Sequence, residues 1–423
     1  MKKVLFIAYL YPPIFNSGTR RSLEFVNHLP DHGWEPTVLT LQDPEPGSCD
    51  PSLLDEVRPG TRVERAPYSG VSVARRLAPL LSRLVPPQRL VDAIAWRTKR
   101  FWNVPDECAS WAPAAVARGI ALHRATPFDA IYATGWPWTA FLVAEKISRA
   151  TGVPFIVDYR DLWKPAEVAW DQATWLQRRI NPLLEARVLR RAAGVIATTG
   201  AFLRLLPQDR LPRHQFAITN GFDEKDFGGA AAASAADGVR IVYTGVWRPG
   251  YGPVDLYEAV KLLKAQGSPC LARLKIVMAG FAPGRARDYG IEDHVEELGR
   301  VPHAEAIALM RGADALYLPV SKGVYEVASI PGKLFEYLGS RRPVLVSAQA
   351  GSEVAQVIAH TGGAVRLEPD DSVALAHAIE QLCLSGPGAI FAPRDEAALQ
   401  DYTRGRLTGK LALALDTVAA RQP

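Results

Sequence analysis

The chain has 423 residues, of which 48% are hydrophobic and 22% charged. That length suits two to three domains with large cores, and the balance excludes a disordered chain. The net charge of +5 is mild; without zinc-finger spacing, an RRM signature or a basic zipper it gives no expectation of a nucleic-acid partner, and no apolar run reaches the ~18 residues of a membrane-crossing helix.

Residues 4–9 read as a buried strand of the parallel type. The run is short, meets Pro12 and Pro13, and lacks a small-residue cleavage site, which favours a strand over a leader peptide. A loop with Gly18 leads into a helix over 19–29, whose Leu23, Val26 and Leu29 share one face. Gly33 closes that helix, and 37–40 form the next strand. This is a βαβ unit, and ligands bind at the carboxyl ends of strands in such sheets. A basic segment follows at 58–102: between Arg58 and Arg100, ten Lys or Arg stand against only Glu64 and Asp92, a local net of +8. The alternation resumes with strands at 129–133, 154–158 and 194–198 and helices at 139–150 and 175–193. Residues 216–219 lead into Asn220-Gly221, a turn pair.

The stretch 228–238, GGAAAASAADG, is small and nearly uncharged and reads as a linker. A second series begins directly after it. Strands are expected at 240–244, 274–278, 315–319, 344–347 and 364–367. The helices between and after them cover 254–264, 303–311, 332–340, 352–360 and 372–384, and a last helix lies near 407–420. The expected fold is therefore α/β: two Rossmann-like, doubly wound domains facing across a cleft. They cover 1–228, with the basic segment, and 239–405; 406–423 form a crossing helix that packs back on the first domain.

Cys49, Cys108, Cys270 and Cys383 lie far apart with no CxxC, so neither a zinc site nor a disulfide framework is expected. The usage suits a reducing, cytoplasmic compartment. Four segments carry candidate chemistry. In the first loop, Gly18 lets the backbone approach a ligand, and Arg20 and Arg21 open the next helix, an arrangement that suits an anion. Near 329–338, SIPGKLFEYL, Pro331 fits the first helical position and Gly332 leaves amides free to cradle a phosphate. Lys333 sits in the first turn, where the helix dipole disfavours it unless an anion offsets it. Glu336, three residues on, offers a carboxylate to ribose hydroxyls; the plainer alternative is a Lys333–Glu336 surface pair. After the strand at 240–244, Gly245 and Arg248 suit a diphosphate. At the end of the strand at 154–158, Asp158 and Asp161 suit sugar hydroxyls or a departing proton; the plainer alternative is an Arg160–Asp161 network that braces the loop.

These segments are familiar as an ordered set. VLFIAYLYPPIFNSGTRRSLEF opens the chain, followed by PDECASW at 105–111, FDAIYAT and VPFIVDYRDLW. NGFDEKDF at 220–227, IVYTG, LGRVPHAEAIALMRGADALYLPV and IPGKLFEYLGSRRPVLV come later. Together they resemble retaining GT-B-fold glycosyltransferases of the family-four type, in a branch of bacterial surface-polysaccharide transferases. The resemblance implies transfer of a sugar from a nucleotide-diphosphate donor to a hydroxyl, with anomeric retention, no metal and no further cofactor. By motif position it places Gly18 near the donor phosphates, Arg248 and Lys333 on the leaving diphosphate, and Glu336 on the ribose. The donor-binding candidates are thus Gly18, Gly245, Arg248, Pro331, Gly332, Lys333 and Glu336. Arg20, Arg21, Asp158, Arg160 and Asp161 form the acceptor side, and Asp161, Arg248 and Lys333 are the catalytic candidates. The chain departs from the pattern twice. Ala328 stands where the family often has Glu, with Glu326 out of register, and Arg160 followed by Asp161 stands where some members have His.

Within the basic segment, 73–102 set Leu77, Leu80, Leu81 and Leu84 beside Arg75, Arg76 and Arg83, and Trp96, Phe101 and Trp102 among Arg97, Lys99 and Arg100. That pattern suits anionic lipid headgroups at the inner face of a plasma membrane and a polyprenol-linked acceptor; a solvated cap on the first domain is the other expectation. Two further readings of function keep the fold: a nucleotide-sugar epimerase and a non-catalytic binding protein.

Overall fold

The computed structural model describes residues 1–68, 104–163, 174–228, 238–247 and 252–420. The segment 73–102 and Arg248 lie outside the described residues. The chain divides into two compact units, Met1–Thr219 with Leu407–Pro423, and Asn220–Arg406.

The first unit is built on β1 (Lys2–Ile7), β2 (Trp34–Leu41), β3 (Arg62–Ala66), β4 (Ala130–Gly135), β5 (Phe155–Tyr159), β6 (Gly194–Ala197) and β7 (His214–Ala217). They form one seven-stranded sheet in the order β3-β2-β1-β4-β5-β6-β7. Every pairing is parallel, with Val4 in register with Pro36 on one side and Ala130 on the other. The central strands are apolar on both faces, as a sheet covered by helices on both sides requires. Those helices are α1 (Ser17–His28), α2 (Ala112–Ala125), α3 (Thr139–Thr151), α4 (Trp175–Arg191) and α5 (Gly200–Leu205). The start of α4 is fixed by a capping box: Gln177 N–H donates to Thr174 Oγ1 at 3.2 Å, and Thr174 N–H donates to Gln177 Oε1 at 2.9 Å. Gly119 lets α2 lie close to α3, since a Cβ there would overlap the Ile147 side chain.

The second unit holds β8 (Val239–Thr244), β9 (Leu274–Ala279), β10 (Val295–Gly299), β11 (Ala315–Pro319), β12 (Val344–Ser347) and β13 (Ala364–Leu367). This sheet is also parallel, in the order β10-β9-β8-β11-β12-β13. Its helices are α6 (Val254–Ala265), α7 (Arg285–Tyr289), α8 (His303–Arg311), α9 (Val324–Ala328), α10 (Gly332–Gly339), α11 (Glu353–Thr361), α12 (Ser372–Ser385) and α13 (Glu396–Gln400). The expectation of two Rossmann-like α/β domains is met.

The passage between the units differs from the expected one. It falls at Thr219–Asn220, upstream of the 228–238 stretch. Phe222 and Phe227 are the reason: both are buried among Val242, Leu316, Phe335 and Leu338 of the second unit, and Phe222 exchanges backbone hydrogen bonds with Tyr402 and Arg404. The last helix, α14 (Arg404–Ala419), returns to the first unit. Leu407, Leu411, Leu415 and Val418 are buried in the same core as Val4, Phe6 and Trp34. Asp416 on that helix accepts hydrogen bonds from Lys2 Nζ at 2.8 Å and Trp34 Nε1 at 3.2 Å.

Candidate functional site

Each sheet has one topological switch point, between β1 and β4 in the first unit and between β8 and β11 in the second. Successive connections leave in opposite directions there, which opens a crevice at the carboxyl ends of the strands. The candidate residues cluster at these two points.

In the first unit, Asn16 caps α1 by accepting the Gly18 N–H at 2.9 Å. Arg160, just past β5, reaches back to the end of β4. Its Nε donates to Gly135 O at 3.0 Å, and its terminal nitrogen donates to Trp136 O. The guanidinium lies against Gly18, where a Cβ would overlap it. Gly18 is thus a glycine because Arg160 needs the space. Arg160 therefore spans the switch point, from the first turn of α1 to the end of β4. Burial pulls its pKa below the usual guanidinium value, and neighbouring Asp161 and Asp158 oppose that pull. Asp161 is exposed. Two residues on, Trp163 is buried and stacked on Trp138 with ring centroids 5.5 Å apart.

Three residues expected on the acceptor side take other positions. Arg21 and Asp158 are 1% and 0% exposed and face each other as a bidentate pair, Nε to Oδ2 at 2.8 Å and the terminal nitrogen to Oδ1 at 2.9 Å. The remaining Arg21 donors go to Thr219 O and Ile218 O, both at 2.8 Å. Asp158 also accepts from Tyr132 Oη and from Thr134 Oγ1. Burial acts to lower the Arg21 pKa, and the Asp158 carboxylate outweighs it, so the net shift is upward. This pair braces the fold, and it is not the Arg160–Asp161 network expected from the sequence: its hydrogen bonds are made inside the first unit. Arg20 likewise turns to Glu56 in an ion pair on the outer side of α1.

Sequence reasoning passed over Asp106, which the PDECASW segment contains. It is buried and accepts from Thr139 N–H at 3.0 Å, Thr139 Oγ1 at 2.7 Å and Cys108 N–H at 2.9 Å. It thereby satisfies the otherwise uncapped start of α3. Burial pushes its carboxyl up to about 6 despite those three hydrogen bonds. The available signal was the acid pair Asp106-Glu107 between Pro105 and the buried Trp111.

In the second unit, Gly245 follows β8 and donates its N–H to Ala279 O at 2.8 Å. Gly280, with φ +115, passes so close that a Cβ would strike the Gly245 backbone. Helix α10 starts at Gly332 after Pro331, and no side chain caps it. Its first-turn amides therefore point out of the helix without a local side-chain acceptor. Tyr337 ties α10 to the end of β8, its hydroxyl accepting Thr244 N–H at 2.9 Å. Gly245 and the 331–336 turn thus belong to one switch point. Lys333 Nζ lies 3.6 Å from Glu336 Oε2, with both side chains about a third exposed. The surface pair is formed, and both groups are accessible. Ala328 is buried at the end of α9, and the Glu326 carboxylate folds over Gly323. Arg248, the second cation expected here, lies outside the described residues.

The family comparisons match this division. Residues 18–221 match the Glycosyl transferase 4-like domain, and 238–385 match Glycosyl transferases group 1. A probable glycosyltransferase, WbjE of Pseudomonas aeruginosa, is 24% identical over 135 residues, which are 31% of this chain and 32% of WbjE; the match thus spans about a third of that relative. Among solved structures, sucrose-phosphate synthase of Thermosynechococcus elongatus superposes with a TM-score of 0.63 at 17% identity, over 99% of this chain and 96% of that one. Anabaena HepE in complex with UDP and glucose gives 0.60 at 16% identity, over 98% and 100%. With two parallel-sheet units, a glycosyltransferase domain matched on each and this shared architecture, the chain belongs to the GT-B glycosyltransferases of the family-four type.

Proposed function

We propose that the chain transfers a sugar from a nucleotide-diphosphate donor to a hydroxyl acceptor, with retention at the anomeric carbon, in the synthesis of a surface glycan such as an exopolysaccharide or lipopolysaccharide. One observation carries the reading: the uncapped start of α10, with Lys333 in its first turn and Glu336 beside it, at the switch point of the second unit. An uncapped helix end plus an ammonium is a site for an anion. A donor diphosphate would take Lys333 away from Glu336, and the freed carboxylate would accept hydrogen bonds from the ribose. Arg248 would add a second cation to the diphosphate, and Gly245 would let the backbone approach it.

In the reaction the bond from the anomeric carbon to the diphosphate oxygen breaks, and its electron pair leaves with the phosphate. Lys333, Arg248 and the α10 amides stabilise that growing charge, which is the larger part of the barrier in such a step. The acceptor oxygen bonds to the same face of the carbon, and its proton passes to the departing phosphate oxygen. On the acceptor side, Arg160 and the exposed Asp161 remain in place to meet hydroxyls, while Arg20, Arg21 and Asp158 hold the fold. The relative WbjE, named a probable glycosyltransferase, and the UDP and glucose bound by HepE support the donor class.

A thermal-shift screen over UDP-, GDP- and dTDP-sugars tests donor binding, since a ligand held only by the folded state raises its stability. Product analysis by NMR then reads the anomeric configuration. An epimerised donor formed without acceptor would replace this reading with the epimerase one. No shift with any saturating donor would favour a non-catalytic protein. Contact with an anionic membrane through 73–102, bringing the enzyme to a polyprenol-linked acceptor, is part of the same proposal.

A further inference from the structure

The loops after β8 and β9 meet beside the switch point of the second unit. Gly245 donates its N–H to Ala279 O, and Gly280 passes against the Gly245 backbone. Two residues beyond Gly245, Trp247 is half-buried. Its ring centroid lies 5.4 Å from that of Phe281 and 5.6 Å from that of Tyr257, and a Cβ on Gly252 would press on the same ring. The indole is therefore held from several sides. Arg285, the first residue of α7, sets its guanidinium over this ring, 4.3 Å from the centroid. Arg285 is exposed, and no carboxylate pairs with it among the described residues. Glu297, the acid at the start of α7, is engaged elsewhere: it accepts from Tyr257 Oη at 2.7 Å, from Gly284 N–H and from Ala286 N–H at 3.2 Å.

We propose that Arg285, positioned by Trp247, binds the diphosphate of a nucleoside-diphosphate ligand at this switch point. The inference rests on the donor reading above and adds a third cation to it. A carboxylate partner would spend the charge of Arg285. An aromatic face instead fixes the guanidinium and leaves its charge and its N–H groups to a ligand. The planar fork matches phosphate oxygens. The place is also the right one: Trp247 stands in the loop whose Gly245 lets the backbone approach the diphosphate, and next in sequence to Arg248. Trp247 is then a positioning residue, since it acts through Arg285. An arginine that only covered the indole would have no effect on ligand affinity.

The test is isothermal titration calorimetry of the full chain with UDP, GDP and dTDP at several salt concentrations. Wild type is expected to bind at least one of them. For that ligand, Arg285→Gln should bind about tenfold more weakly, as for the loss of one charged hydrogen bond. Its affinity should also depend less on salt, a readout that a merely structural role would not move. The position is exposed, so its melting curve should match wild type. Trp247→Leu should weaken binding severalfold on its own and add little in the Arg285→Gln background, because the two act as one unit. If wild type binds none of the three diphosphates, the donor reading and this assignment fall together. If wild type binds and Arg285→Gln binds equally well with the same salt dependence, this assignment alone is overturned. If Trp247→Leu costs as much without Arg285 as with it, the indole does not position the guanidinium and that part is overturned.

Discussion

Each unit puts charged side chains near the switch point of its sheet, Asp158 near the end of β5 and Lys333 and Glu336 at the start of α10, and the two units use them in opposite ways. At the end of β5, Asp158 is sealed in and spends its acceptor capacity on Arg21, Tyr132 and Thr134. At the start of α10, Lys333 and Glu336 are about a third exposed and pair with each other at 3.6 Å. A charge saturated by the fold supports the site, whereas one whose partner is weak and solvent-exposed is free to exchange it for a ligand. The comparison breaks if the sealed pair turns out to be dispensable for folding, or the open pair dispensable for chemistry.

The largest expected effect is on the sealed side. Asp158→Ala leaves the Arg21 guanidinium buried without its carboxylate, which costs about 3–5 kcal/mol, measured by urea unfolding. Replacing both together, Arg21→Met with Asp158→Leu, should cost less than the single change, because no lone charge is left behind. If the double variant proves the less stable of the two, the pair is contributing more than charge compensation. On the open side, Lys333→Ala should cut transfer by about a hundredfold or more, the range for removing one group that stabilises developing charge, and Glu336→Ala should cut it through lost donor binding at the ribose. Their melting temperatures should stay close to wild type, since an exposed i,i+3 pair contributes only tenths of a kcal/mol. Wild-type turnover in both variants would remove α10 from the site.

Asp106 sharpens the contrast through pH. Its carboxyl is raised from 3.8 to about 6 by burial, so the fold prefers the protonated form. Below about pH 4 both folded and unfolded chains hold that proton, and the contribution to stability is complete. As pH rises through about 6 the contribution is lost, up to about 3 kcal/mol. Asp106→Asn cannot titrate, so the difference in unfolding free energy between the two proteins should change by that amount between pH 4 and 7, with wild type losing ground. Parallel pH profiles would place the Asp106 carboxyl back in the ordinary range.

The fold was legible wherever strands are buried on both faces. The runs at 4–9, 315–319 and 344–347 announce themselves because a covered parallel strand is apolar throughout. Two of the four outer strands, β3 and β10, did not, because RVERA and VEELG carry the charges that keep an open sheet edge from pairing with another chain. Helix α2 was missed for a different reason: its buried residues are Ala112, Ala115, Gly119 and Leu122, too small to make a visible stripe. At the site, the α10 segment could be read because its signals, Pro, Gly, Lys and Glu, lie within six residues. The Arg21–Asp158 pair could not be, since its members are 137 residues apart and only the sheet order brings them together. The domain boundary was misplaced because a stretch of alanines looks like a linker, while the two phenylalanines before it decide which core the chain has already joined.

The smallest effect concerns the tie between the two halves of the second unit's site. Tyr337 accepts the Thr244 N–H, and both residues are buried. Tyr337→Phe keeps the ring and removes the hydroxyl that accepts the Thr244 N–H and donates to Thr244 O, leaving a buried backbone donor unpaired at the end of β8, for about 1–2 kcal/mol. The loss in stability is modest, but its location matters: Gly245 follows Thr244 directly, and Lys333 and Glu336 are on the same helix as Tyr337. If the hydrogen bond fixes the spacing between the end of β8 and the start of α10, the variant should weaken donor binding by severalfold in the thermal-shift assay while transfer at saturating donor is largely kept. If stability falls and donor affinity does not, the tie serves only the core, and the two segments reach the donor independently.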